Sequence, residues 1–117
     1  MAENPFASDV RHFILINIDS IAQLEALLLL CANPAEKWDV AALARRLYIS
    51  EQETSTLLAR LCDLGLTSVN GDNPPRYRYQ PESDYLARMV DRLADVYAKH
   101  LVPVTNLVHS KHEAKRA

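Results

Sequence analysis

From Trp38 to Pro81 the chain reads WDVAALARRLYISEQETSTLLARLCDLGLTSVNGDNPPRYRYQP, with start and stop signals so closely spaced that few folds satisfy them all. Asp39 precedes an apolar pattern of Leu43, Ala44 and Leu47. This predicts a short helix from Val40 to Leu47, with the Asp39 carboxylate accepting from its first amides and Arg45 and Arg46 pointing outward. Tyr48 and Ile49 leave room only for a tight turn, because Ser50 at once offers a second cap with Glu53 at the capping-box position. Leu57, Leu58, Leu61 and Leu64 then form one apolar stripe, and Gly65 supplies the left-handed residue that stops it. Leu66 to Val69 reads as a strand and Asn70 to Pro75 as a loop of turn formers. Arg76 to Gln80 alternates, placing Arg76 and Arg78 on one face and Tyr77 and Tyr79 on the other.

The flanking segments show what this unit packs against. Met1 to Ala7 has little pattern and is expected to be a loose arm. Val10, Phe13, Ile14 and Ile18 predict a short helix after Ser8, with a strand over FILINI as the alternative. Ser20 with Gln23 is a further capping box, opening a helix through Ile21, Leu24, Leu27, Leu28 and Cys31. Leu27 to Leu30 is apolar on nearly every face, so this helix must be covered on both sides until Asn33 and Pro34 end it. Ser83 starts the longest pattern: Leu86, Met89, Val90, Leu93, Val96, Tyr97, Leu101, Val104 and Val108. A helix from Asp84 to Ser110 would be about 40 Å long, more than one small domain covers, so part of it must find another partner. Pro103 predicts a kink or break near Lys99 to Val102, and a helix folded back across its own core is the alternative. Residues 111–117, KHEAKRA, read as a frayed basic tail.

Across the turn, LARRLYIS (Leu43 to Ser50) resembles bacterial winged-helix regulators such as the MarR, ArsR and PadR families. Those families run leucine, alanine, two variable residues, leucine, glycine, isoleucine, serine. Tyr48 stands where their glycine is usual, so this turn is made without a glycine's freedom. Leu58, Leu61, Gly65 and Leu66 continue the match, whereas Glu53, Thr54, Ser55 and Thr56 replace the threonine, valine, serine and arginine that begin the families' recognition helix. The resemblance implies a mainly α fold with a small β wing: a flexible arm over 1–7, a winged helix-turn-helix over 8–81, a long C-terminal helix over 82–110 and the tail over 111–117. It also implies a short strand near Trp38, double-stranded DNA as partner and a homodimer built on the terminal helix. The residues of that helix expected at the interface are Leu86, Met89, Leu93, Val96, Tyr97, Leu101, Val104 and Val108.

Composition limits the function classes. At 117 residues, 49% apolar and 24% charged, the chain fits one domain, and no segment reaches the roughly 18 uninterrupted apolar residues of a membrane helix. The N-terminal residues lack a basic region followed by an apolar core, which leads us to expect no secretory signal and a cytoplasmic location. Cys31 and Cys62 lie within apolar patterns and are expected as reduced, buried thiols. With a net charge of −2, any DNA affinity must come from local patches. The helix after Ser50 carries only Arg60 against Glu51, Glu53 and Asp63. The candidates for DNA contact are Gln52, Ser55, Thr56 and Arg60 near the groove, the first three within reach of base edges, with Arg45, Arg46, Arg76 and Arg78 on phosphates. The alternative is a protein-interaction module whose acidic helix engages a partner protein.

No enzyme is implied. Gly65 and Gly71 cannot make a phosphate-cradling loop, and His109 with His112 lacks the further ligands a metal needs. His12 and His100 lie beside apolar runs as core-edge residues. Neither metal nor cofactor is expected.

Overall fold

The computed structural model describes residues 7–116, and the side chains of residues 7–111. Its elements are α1 (Ser8–Asn17), α2 (Ile21–Ala32), α3 (Val40–Leu47), α4 (Glu51–Asp63), β1 (Thr67–Val69), β2 (Tyr77–Tyr79), α5 (Asp84–Lys99) and α6 (Leu101–Arg116). Four of the helices start on a side-chain cap. Ser20 Oγ accepts from Gln23 N at 3.1 Å, Asp39 Oδ1 from Ala42 N at 2.7 Å, Ser50 Oγ from Glu53 N at 3.0 Å and Ser83 Oγ from Leu86 N at 3.1 Å. Gln23 reaches back one residue further than a capping box requires. Its Oε1 accepts from Asp19 N at 2.7 Å and its Nε2 donates to Asn17 O at 2.9 Å. A side chain only 1% exposed is thereby satisfied, and it fixes the 114° bend between α1 and α2.

The C-terminal end of α4 is a Schellman motif. Gly65, at φ +77°, donates to Cys62 O at 3.0 Å, and Leu66 donates to Leu61 O at 3.0 Å. The turn between α3 and α4 needs the same left-handed geometry, and Tyr48 adopts it at φ 60° and ψ 41°. Its ring lies 93% exposed, so nothing in the core repays the conformation.

Leu24, Ala26, Leu27 and Leu30 are fully buried because α2 is covered by α3, α4, α5 and β2. Strands β1 and β2 are antiparallel with Thr67 opposite Tyr79, Ser68 opposite Arg78 and Val69 opposite Tyr77. Trp38 adds a one-residue third strand, donating to Tyr77 O at 2.8 Å and accepting from Tyr77 N at 2.7 Å. Cys31 and Cys62 are free, partly buried thiols.

Downstream, the stretch over 82–110 is broken near Lys99 to Val102, where Pro103 led us to expect a kink or break, and it forms two helices. Lys99 ends α5, His100 takes a non-helical conformation, and its carbonyl accepts from Val104 N at 3.1 Å to begin α6. Pro103 falls in the first turn of α6, where an amide has no intrahelical partner to lose. The new helix packs on α1, where Val104 and Val108 are fully buried and Lys111 donates to Ile14 O and Ile18 O. Lys111 is therefore docked, and helix continues to Arg116 where a frayed tail was expected. Residues 1–6 of the expected arm and residue 117 lie outside the described residues.

Among the described residues no single helix is long and apolar enough to cross a membrane; α1 and α2 together have the length, but only across their bend.

Candidate nucleic-acid interface

The wing presents two chemically distinct faces because its strands alternate. Tyr77 and Tyr79 turn inward and pack against the core, and the Tyr79 hydroxyl is buried beside the Cys31 thiol. Burial pushes both groups' pKa values up, so neither ionises at neutral pH. The opposite face carries Arg76 and Arg78 with Ser68, which sits directly across from Arg78. The bridge between Trp38 and Tyr77 brings in Lys37 as well, since the residue before Trp38 pairs toward the residue after Tyr77. Lys37, Arg76 and Arg78 line one recess of about 220 Å³ together with Ser68 and Gln80. Among the described residues lining it there is no carboxylate. Ser68 Oγ donates to Gln80 Oε1 at 2.7 Å, orienting that amide along the recess rim.

Lys37 is not among the contact residues expected from the sequence. The signal lay in its place next to Trp38: an inward tryptophan on a short strand puts its neighbour on the outer face.

On α4, Gln52, Ser55 and Thr56 are exposed, as a reading face requires. Thr56 Oγ1 donates to Gln52 O at 3.1 Å, so toward a ligand it acts as an acceptor. Arg60, on the same helix, is engaged in an ion pair. Its Nε donates to Asp19 Oδ2 at 3.1 Å and its Nη2 to Ile16 O at 3.4 Å, tying it to the α1–α2 turn. A cleft of about 390 Å³ separates that turn from α4, with Asp19, Gln23, Gln52, Glu53 and Arg60 among its walls. Glu51, Glu53 and Asp63 are all exposed on the same helix. On α3, Arg45 and Arg46 are exposed, and Arg46 lines a separate recess with Glu25 and Tyr48.

The eight residues expected at a dimer interface divide into three groups. Met89, Leu93, Val104 and Val108 are no more than 2% exposed and belong to the core of a single chain. Withdrawing them would forfeit about 1.5–3 kcal/mol of burial each, so the break at His100 assigns them to this chain's own interior. Leu86, Val96 and Tyr97 pack partly buried against that core. Leu101 is 54% exposed, and Val102, Ile16 and Tyr85 are the other large apolar side chains on α1, α5 and α6 left to solvent. A salt bridge between Asp9 and Arg92 clamps α1 to α5, and Arg92 holds the Asp9 carboxyl below its usual pKa.

No group of three or more His, Cys, Asp or Glu side chains suited to a metal occurs among the described residues. His12 and His109 are exposed, His100 sits at the α5–α6 break, and the side chain of His112 lies outside the described residues.

No protein-family model and no curated protein matches the chain. Among solved structures it is similar to a MarR family protein from Bacillus stearothermophilus, with a TM-score of 0.53 and 18% sequence identity. The alignment covers 94% of this chain and 84% of that one. At that identity the likeness is one of fold, and it spans α1 through α6: this chain is built as a winged helix on the plan of a MarR family structure.

Proposed function

We propose that the chain is a DNA-binding transcriptional regulator of the winged-helix type, acting as a homodimer and anchored on the DNA backbone chiefly through its wing. The observation that carries this reading is the recess formed by Lys37, Arg76 and Arg78 without a lining carboxylate. Like charges held together on one face repel unless an anion lies among them, and phosphate oxygens accept from all three. The α4 face adds Gln52, Ser55 and Thr56, whose amide and hydroxyls can pair with base edges, while Arg45 and Arg46 add charge on α3. Because Glu51 and Glu53 flank that reading face, base recognition is weak and the wing dominates affinity.

The dimer reading rests on Leu101, Val102, Tyr85 and Ile16, exposed apolar groups on the three elements outside the helix-turn-helix. Native mass in solution at tens of micromolar tests it, and a monomer there ends it.

Fluorescence anisotropy on genomic duplex fragments at low salt tests DNA binding. Binding is expected, and each of Arg76→Glu and Arg78→Glu should flatten the log–log salt slope by about 1 or more. Absence of binding at low salt, or indifference to both reversals, ends the DNA reading. The pairing of Arg60 with Asp19 favours one second reading, since it leaves α4 with an exposed acidic face suited to a basic protein partner. In that case a partner recovered by pull-down is released by charge reversal at Glu51 and Glu53, and no duplex binds.

A further inference from the structure

Asp19 occupies the turn between α1 and α2 and faces cations from two directions. Its Oδ2 accepts from Arg60 Nε of α4 at 3.1 Å, and its Oδ1 lies 3.8 Å from Lys111 Nζ of α6. Arg60 is the sole basic residue on α4. We propose that Asp19 is an internal competitor of DNA: it holds Arg60 against the α1–α2 turn in the free protein and yields it to a backbone phosphate when α4 approaches the duplex. This rests on the DNA-binding reading above and deepens it, by naming the residue that sets how much positive charge the recognition helix presents.

The pair is built to exchange. The Arg60 and Asp19 side chains are 39% and 46% exposed, and both line the open cleft beside α4. An exposed ion pair biases its partner by only about two- to fivefold, which a phosphate contact with release of counterions matches or exceeds. A fully buried pair would not let go, since separating it strands a charge. Lys111 lowers the barrier further. Its side chain is 12% exposed and anchored by the carbonyls of Ile14 and Ile18, so it stays beside Asp19 as a second cation when Arg60 leaves. The docking of the terminal helix therefore feeds into the charge state of the recognition helix: with the Lys111 ammonium gone, Asp19 attracts Arg60 more strongly.

The test is a double-mutant cycle read by anisotropy on one duplex fragment at low salt. Asp19→Asn is expected to tighten binding about two- to fivefold in the wild-type background and to change nothing when Arg60 is already Gln. Lys111→Met is expected to weaken binding by up to about fivefold, an effect that vanishes in the Asp19→Asn background. Asp19→Ser gives a second route should the first variant fold poorly. An equal gain with and without Arg60, or no gain in the wild-type background, overturns the proposal. If the wild-type protein binds no duplex, the DNA reading itself has failed. If binding is intact and depends on the wing but positions 19 and 60 act additively, only this inference falls.

Discussion

Replacing Tyr48 with Gly should stabilise the protein. The left-handed conformation at φ 60° and ψ 41° pushes an L-residue's Cβ toward its own carbonyl, at a cost of about 1–2 kcal/mol that glycine does not incur. Against this, glycine adds freedom to the unfolded chain, worth about 0.5–1 kcal/mol. The phenol ring is 93% exposed, so its removal forfeits almost no burial. The difference is a gain of up to about 1.5 kcal/mol, centred at about 0.7 kcal/mol, which for a chain of this size raises the melting temperature by roughly 2–5 °C at the centre of that range. The assay is thermal and urea unfolding followed by circular dichroism on Tyr48→Gly, Tyr48→Asn and Tyr48→Val. Asn tolerates the left-handed region and Val resists it, so the expected order of stability is Gly, Asn, wild type, Val. A Gly variant less stable than wild type, or a Val variant more stable, would show that the ring contributes something its exposure conceals, and would refute the strain argument.

Two further predictions concern the core and the wing. Leu93→Ala empties a fully buried site on α5 and should cost about 2–5 kcal/mol in urea unfolding; the same change at Leu101, half exposed at the start of α6, should leave chain folding nearly untouched. Tyr79 makes stability depend on alkaline pH. Burial raises its phenol above the ordinary value of 10.0, so above about pH 10 the unfolded chain releases a proton that the folded chain retains. The stabilisation is complete below that pH and declines above it, and Tyr79→Phe should flatten the fall in unfolding free energy between pH 9 and pH 11, as measured by urea titration at each pH.

The residues alone determined the local architecture. Caps at Ser20, Asp39, Ser50 and Ser83, the Gly65 stop and the break near Pro103 all act within one helical turn, and hydrogen bonds of that reach are legible from spacing. Tyr77 and Tyr79 facing one way and the arginines the other followed from strand alternation for the same reason. Tertiary structure decided which of these parts meet. Arg60 stood on the expected reading helix, yet its partner lies 41 positions earlier, and no local pattern shows that a guanidinium turns toward Asp19 instead of solvent. Lys37 joined the wing's basic face only through the Trp38 bridge, and Met89, Leu93, Val104 and Val108 left the surface because α5 and α6 pack on each other and on α1, with α2 also against α5. Periodicity marks a face as apolar. Which surface covers that face, and which charges end up within reach of one another, is settled by the free energy of the whole packed chain.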